Sequence, residues 1–447
     1  MNSTWEVILE NFVSYFLIGI IIIFVLYFYL RSKRKNSKKN QAKLNKAIEL
    51  GFHEPVSLHP VINSEICIGS GACVAACPER DILGLMNGRG VTINASRCVG
   101  HGACFHACPV EAITLVMGTE KRGVELPHVS AGYESNIGGV YIAGELGGMG
   151  LIKNAVEQGR LAMESIVRSL KKSHSAEYDV IIVGAGPAGI SASLTASKNK
   201  IKFITLEQDS LGGTVFSFPR AKIVMTSPMQ LDLYGKVKLS ETTKAELLSL
   251  WKEVLTGNDI NINENEKVNE IERGSEFITV RTLNTVYTTA NVLLAIGRRG
   301  TPRKLGVPGE EKEKVYYRLL EPELIKNKNV LVVGGGDSAI ESALLLVDEG
   351  NNVKLSYRGD SFNRIKPRNL ELLNAASDEK KIEVIYNSSV KEITDNSVAI
   401  KINDEKIIEI ENDLVYVFAG GELPNAFLQK VGIKITKKFG EVILKHT

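Results

Sequence analysis

The sequence predicts an α/β protein with two nucleotide-binding halves of alternating strands and helices. A membrane-spanning helix and a small cysteine-rich α+β module precede them. Three observations carry this expectation: a strand, glycine turn and helix pattern recurs around Gly184 and Gly334, all six cysteines fall in two near-identical runs, and residues 12–30 hold no charge. At 447 residues with 44% hydrophobic content the chain has material for several packed cores. The net charge of +3 conceals an asymmetry, because residues 31–46 contribute eight Lys or Arg and no acid, leaving 46 basic against 51 acidic residues elsewhere. A basic excess confined to one segment gives no sign of a nucleic-acid partner.

The first element is the apolar run from Phe12 to Leu30 (FVSYFLIGIIIIFVLYFYL). As a helix its 19 residues span about 28 Å, close to one hydrocarbon core. A secretory signal would carry its positive charge ahead of the run. Here the head carries Glu6 and Glu10, and the basic residues follow. The positive-inside rule therefore puts the N-terminus outside and everything after Arg31 in the cytoplasm, as a single pass of the inner (cytoplasmic) membrane. Tyr15, Tyr27 and Tyr29 stand near the ends of the run, as an interfacial belt requires. Residues 31–56 are expected as a basic juxtamembrane linker against anionic membrane lipid.

The cysteine runs are Cys67-Ile-Gly-Ser70-Gly-Ala-Cys73-Val-Ala-Ala-Cys77-Pro78 and Cys98-Val-Gly-His101-Gly-Ala-Cys104-Phe-His-Ala-Cys108-Pro109. Both resemble the bacterial ferredoxin run C-x2-C-x2-C-x3-C-P, with Ser70 and His101 in place of the second cysteine. The spacing does not match common zinc sites, and a disulfide framework would need an oxidising compartment. The resemblance implies a ferredoxin-like module over residues 57–118 holding two iron–sulfur clusters. By its crossing rule one cluster takes Cys67, Cys73 and Cys108, and the other Cys98, Cys104 and Cys77. Each is either a [3Fe-4S] centre or a [4Fe-4S] centre completed by Ser70 or His101.

Further along, Tyr178 to Val183 reads as an apolar strand and runs into Gly184-Ala-Gly186-Pro187-Ala188-Gly189, which opens a helix. A second strand ends in Glu207, 18 residues after Gly189. This is the Rossmann-type fingerprint, with the pyrophosphate on the helix N-terminus and the acid on a ribose hydroxyl. The unit recurs as Asn329 to Val333 followed by Gly334-Gly-Gly336-Asp337-Ser338-Ala339. The position equivalent to Glu207 is Tyr357, followed by Arg358 and Arg364. Without the acid and with arginines nearby, NADP is favoured over NAD. Residues 236–255 read as a surface helix, and residues 263–294 alternate as a short antiparallel sheet does.

Two such units in tandem, FAD first and nicotinamide second, resemble the thioredoxin reductase branch of the pyridine nucleotide flavoproteins. Leu211-Gly212-Gly213-Thr214 resembles the loop beside the flavin, and Leu294-Ala-Ile-Gly297-Arg298 the segment returning to FAD. Two departures matter. Such reductases carry a C-x-x-C pair, whereas Val315 to Pro322 has no cysteine and looks more like the bacillithiol disulfide reductase relatives lacking the pair. The family's ending, G-[VI]-[FY]-A-A-G-D and a helix, is missing from the C-terminus. It is matched instead by Gly138-Gly-Val-Tyr-Ile-Ala-Gly144-Glu145 and the helix-like stretch from Met149 to Leu170. The resemblance thus implies a circular permutation, with Gly144 and Glu145 beside the flavin.

The expected fold is therefore an α/β two-domain Rossmann-type flavoprotein with an N-terminal transmembrane helix and a two-cluster ferredoxin-like α+β module. Its expected parts are a span at 12–30, the linker at 31–56, the iron–sulfur domain at 57–118 and a permuted FAD segment at 119–170. An FAD domain at 171–300, an NAD(P) domain at 301–420 and a return to the FAD domain at 421–447 complete it. The expected function is electron transfer between NADPH, FAD and two clusters, with no catalytic acid, base or nucleophile identified. The terminal partner is left open among a quinone, a cytochrome and a soluble ferredoxin or flavodoxin, and a homodimer is left open too. A low-molecular-weight disulfide reductase and a nucleotide-binding redox sensor are the alternatives.

Overall fold

The computed structural model describes residues 2–49, 51–55, 58–79, 81–98, 100, 102–120, 123–148, 150–170, 175–218, 223–226, 228–239, 241–298, 302–362, 365–403 and 405–444. His101 and Arg364 lie outside the described residues. The chain divides into two compact units, Met1–Arg122 with Phe439–Thr447, and Gly123–Lys438.

The first unit opens on one unbroken helix, Asn2–Glu49. From Tyr15 it is long and apolar enough to cross a membrane, with a mean hydropathy of 2.0 and none of its apolar window buried. No Pro or Gly interrupts the sequence between Leu30 and Gly51, so the basic stretch continues as helix through Glu49. Its last turns dock on a hairpin made by Leu83–Met86 and Arg89–Thr92. Asn40 Nδ2 donates to the Leu85 carbonyl at 2.9 Å, Lys43 pairs with Asp81, and Ala47 is buried.

A three-stranded antiparallel sheet orders Leu58–Ile62, Ile113–Met117 and Glu441–Leu444, with Ile113–Met117 in the middle. Leu58, Ile113, Leu115 and Met117 are buried there, with Ile82 and Ile93 in the same small unit. The end of the segment 421–447, expected to return to the FAD domain, departs from that expectation, because Phe439–Thr447 falls with the first unit. The last strand joins the first unit because the sheet strand Ile113–Met117 offers it an edge, with Met117 opposite Glu441.

In the second unit the half expected to bind FAD is a parallel sheet ordered Ile262–Asn263, Phe203–Leu206, Tyr178–Val183, Val286–Leu294, extended antiparallel by Ile278–Thr282 and Val268–Arg273. Val180, Ile181 and Ile182 are fully buried, as a central strand covered on both faces requires. The strand Val140–Ile142 adds to Val286–Leu294 in parallel, and helix Ile152–Ser169 packs along helix Pro187–Lys198. Val140–Ile142 and Ile152–Ser169 precede the first glycine turn in sequence but are built into its domain, as the permutation implies.

The expected surface helix at 236–255 begins later, as Lys244–Thr256. Gly235–Val237 is held as a strand against Met229–Leu231, and Thr243 with Glu246 forms a capping box that fixes the helix start. The half expected to bind the nicotinamide dinucleotide is a five-stranded parallel sheet ordered Val315–Tyr316, Leu414–Val417, Asn329–Val333, Asn352–Ser356, Ile382–Ile385. It carries a three-stranded antiparallel sheet of Ser388–Ile393, Ser397–Ile402 and Lys406–Glu411.

Candidate cofactor sites

The two cysteine runs fold alike. Each forms a loop with two glycines at positive φ, Gly69 and Gly71 in the first and Gly100 and Gly102 in the second, and then a short helix, Ala72–Ala76 or Ala103–His106. At Gly69 the need for glycine is steric as well, since a Cβ would stand 1.8 Å from the Gly88 carbonyl oxygen. Cys73 and Cys104 enter these helices as buried residues.

The thiols group across the two runs. Cys67, Cys73 and Cys108 line one small cavity, together with Ser70 and the apolar side chains of Ile62 and Ile113. Burial pushes the Cys73 thiol up, reinforced by Cys67 and Cys108. In the other group burial pushes Cys104 up to about 12, reinforced by Cys98 and Cys77 and least by Cys73 of the first group. Cys98 is pushed up to about 11 by burial and by Cys77. These are the groupings of the crossing rule, and all six cysteines are free of disulfides.

The donor set suits iron–sulfur clusters. Thiolates this buried need positive charge beside them, which iron supplies. Backbone N–H groups already aim at sulfur: Gly90 and Gly69 at Cys67 Sγ, 3.3 and 3.4 Å, and Ala112 at Cys108 Sγ, 3.2 Å. Among the described residues no three His, Cys, Asp or Glu side chains converge on a single metal ion. A polynuclear cluster bonds each thiolate through a different iron and so needs the wider spacing. Ser70 Oγ lines the first cavity and accepts from the Ala72 N–H at 3.4 Å.

In the FAD half the residues named from sequence come to one edge of the sheet. Val183, Leu294 and Ile142 end neighbouring parallel strands, tied by Ala295 N–H to the Val183 carbonyl at 2.8 Å and Ala143 N–H to the Leu294 carbonyl at 3.0 Å. Just beyond them lie Gly184, Gly144 and Glu145, with Gly297 two residues past Ala295. Gly189 lies tight under the turn, where a Cβ would meet the Gly184 carbonyl oxygen at 1.8 Å. At Gly186, the N-cap of helix Pro187–Lys198, a Cβ would meet nothing within 4 Å, so the helix N-terminus stands open to a phosphate. Gly212 N–H binds the Ala185 carbonyl at 2.9 Å, and Gly213 stacks beside Gly186 with Thr214 following.

Glu207 is 4% exposed, and its carboxylate accepts from Ala185 N–H at 2.7 Å and Asp209 N–H at 3.0 Å. Burial raises its pKa, and the backbone hydrogen bonds oppose that only in part. A buried carboxylate beside a glycine turn and an open helix start are what a dinucleotide ribose and pyrophosphate require, so these residues fit FAD. Three contributors were not in the sequence-derived set. Gln158 Oε1 accepts from Gly144 N–H at 2.9 Å and fixes that turn. Arg298, half-buried, has its pKa lowered by burial and raised by nearby Glu145 and Glu125. Arg318 pairs with Asp209 at 2.9 Å and links the segment after the FAD half to the loop following Glu207. Only Arg298 carried any signal, as the residue after Gly297.

The second turn differs. A Cβ at Gly334 would meet the Phe418 carbonyl oxygen at 2.6 Å, while Gly336 caps helix Asp337–Asp348 in open space. Ser338 is exposed and Ala339 buried under the turn. Asp337 Oδ1 is engaged, accepting from Lys366 N–H at 2.8 Å and Asn369 Nδ2 at 2.7 Å. Tyr357 lies over Gly335, where a Cβ would stand 1.9 Å from its ring, and stacks on Phe362 at 4.7 Å. Arg358 beside it is exposed.

Residues 181–446 match the pyridine nucleotide-disulphide oxidoreductase family, and residues 59–109 match the 4Fe-4S dicluster domain. The bacilliredoxin reductase Bdr of Bacillus subtilis (strain 168) is 29% identical over 265 residues, 58% of this chain and 82% of that protein. A ferredoxin–NADP reductase of Picrophilus torridus is 31% identical over 256 residues, 55% of this chain and 73% of that protein. Among solved structures, the bacillithiol disulfide reductase Bdr (YpdA) of Staphylococcus aureus superposes with a TM-score of 0.52 at 25% identity. It covers 59% of this chain and 85% of its own.

Proposed function

This chain belongs to the pyridine nucleotide-disulphide oxidoreductase family and carries a 4Fe-4S dicluster domain, and from that premise we propose that it is a membrane-anchored, NADPH-oxidising flavoprotein exchanging electrons with a redox partner through two clusters. The observation that carries the reading is the crossed grouping of all six cysteines in one iron–sulfur unit. No cysteine is left for thiol–disulfide exchange in the flavoprotein unit, where the disulfide reductase reading would need one.

FAD supplies hydride acceptance and single-electron release, and iron–sulfur centres carry electrons one at a time. The chain's own residues do the rest. The helix start at Gly186 to Gly189 binds pyrophosphate, Glu207 orients a ribose by its free lone pairs, and Gly144 and Glu145 cover the same sheet edge from the permuted segment. The turn from Gly334 to Ala339 holds the nicotinamide dinucleotide, and Arg358 with Arg364 favours its 2′-phosphorylated form. Cys67, Cys73 and Cys108 hold one cluster and Cys77, Cys98 and Cys104 the other, with Ser70 and His101 at the two positions where the ferredoxin run has a further thiolate.

The apolar helix from Tyr15 and the basic turns after it support an anchor with the enzyme on the cytoplasmic side. A disulfide reductase acting on a small thiol is the second reading, favoured by the likeness to Bdr. Anaerobic protein assayed for iron and flavin, then titrated with NADPH, separates the two. Iron content matching two clusters and NADPH-dependent cluster signals support electron transfer, and NADPH-dependent reduction of bacillithiol disulfide by iron-free protein supports the other.

A further inference from the structure

The iron–sulfur unit is fixed to the apolar helix in one orientation, and that orientation ranks its two cysteine sites. The helix is continuous, so height along it can be read in residues. The tip of the docked hairpin, Asn87 and Gly88, lies between the levels of Lys33 and Ser37. A Cβ at Gly88 would stand 3.2 Å from Lys33 Nζ, and Ser37 Oγ bonds Asn87 Oδ1 at 3.2 Å. Lys33 and Ser37 lie about 5 and 10 Å along the helix beyond Leu30, the end of the apolar run, which is headgroup level.

The first cysteine loop rests on that tip. Gly69 abuts the Gly88 carbonyl, Arg89 Nη1 donates to the Cys67 carbonyl at 3.0 Å, and Gly90 N–H points at Cys67 Sγ. The loop shows apolar side chains to its surroundings, Ile68 at 65% exposure and Ile66 at 49%. The other site lies at the far end. Phe52 N–H bonds the Ala47 carbonyl at 2.7 Å, Ser96 N–H bonds the Phe52 carbonyl at 2.9 Å, and Arg97, next to Cys98, stacks over the Phe52 ring at 4.5 Å. Ala47 is about 20 Å further along the helix than Lys33.

We propose that the Cys67–Cys73–Cys108 site is the membrane-proximal electron exit and that it reduces a quinone-class carrier dissolved in the bilayer, with Ile66 and Ile68 set into the lipid interface around it. This rests on the anchored reading above and names its partner. A soluble acceptor gains nothing from isoleucines at headgroup level, whereas a lipid-dissolved ring meets them there. The balance is NADPH + H+ + quinone → NADP+ + quinol: two electrons leave the nicotinamide, pass one at a time, and the quinone takes them with two protons.

The test uses the full chain in lipid vesicles, in a W5F background that keeps the buried Trp251. Tryptophans placed one at a time by F24W, I68W, I66W and H53W are exposed to lipids brominated at shallow or deep acyl positions. F24W should lose most of its emission to the deep label and I68W or I66W to the shallow one, while H53W, near the far end, keeps its emission. Anaerobic NADPH-reduced protein in the same vesicles should lose its reduced-cluster resonances when a menaquinone is added. An unquenched F24W overturns the anchor itself. A quenched F24W with both I68W and I66W unquenched overturns the proximal placement. Quenched I68W with resonances that persist under quinone but vanish on adding a soluble flavodoxin overturns the quinone assignment.

Discussion

A Cβ on Gly159 would stand 2.0 Å from the carbonyl oxygen of Ala188, so the helix that precedes the first glycine turn in sequence lies against the start of the helix that follows it. Backbone approach this close is open only to glycine. Gly159→Ala should therefore separate Ile152–Ser169 from Pro187–Lys198 and cost about 1–3 kcal/mol as overpacking. Because the separation is felt at Ala188, inside the first glycine turn, the variant should also bind FAD more weakly. Thermal unfolding with and without added FAD checks both. Wild-type stability and flavin content would mean that the displaced segment does not support the site.

Glu207 gives a pH signature. Its folded pKa is raised above the ordinary 4.5, mainly by burial, so the protonated form is favoured in the fold. That contribution to stability is complete below 4.5 and is lost as pH rises through the higher folded value. Flavin-free wild type should therefore lose stability relative to Glu207→Gln as pH is raised from 4.5 toward neutrality. At neutral pH the same substitution should weaken FAD binding, since a charged acceptor is worth about 1.5–3 kcal/mol to a hydroxyl. Denaturation curves that run parallel at every pH would contradict the burial argument.

The crossed thiols predict which cysteines fail together. Cys108→Ser should remove the same resonance as Cys67→Ser and Cys73→Ser, although Cys108 belongs to the other run. Cys77→Ser should match Cys98→Ser and Cys104→Ser. Electron paramagnetic resonance of the six variants decides it, and a pattern grouped by run instead of across runs would refute the crossing.

Truncation should separate anchor from fold. Cutting after Leu30 should release a soluble protein retaining flavin and both clusters. Cutting after Lys46 also deletes Asn40 and Lys43, which bind Leu85 and Asp81, and should lower the stability of the iron–sulfur unit by roughly 1–3 kcal/mol for the exposed hairpin and lost hydrogen bond. Iron retention during mild heating reads the difference, and equal retention in the two truncations would mean that the docked turns contribute nothing.

Much of this was legible in sequence because it is local. The cysteine runs, the two glycine turns and the apolar run are patterns within a few residues of themselves, and the family ending displaced to Gly138–Glu145 could be read the same way. What escaped reading depends on distant partners. The strand Glu441–Leu444 joins Ile113–Met117 from more than three hundred residues away, and nothing near it announces the pairing. Tyr357 reads as a vacant acid position but packs on Gly335, a contact visible only once the turn is folded. The helix start at Lys244 is set by the Thr243 and Glu246 box, while Gly235–Val237 ahead of it pairs as a strand with Met229–Leu231, a partner outside the segment itself. The helical extension to Glu49 was written in the absence of Pro and Gly before Gly51, although it was read as a linker.

Electrons from NADPH are expected to reach iron–sulfur centres held by this same chain. The most direct measurement is anaerobic reduction of the purified, full-length protein with NADPH, following flavin absorbance and cluster resonances together, with iron and FAD quantified on the same sample. One FAD and two clusters per chain, bleaching of the flavin, and a change in cluster resonances that follows it are the expected result. Flavin that bleaches while fully loaded clusters keep their original resonances would contradict it.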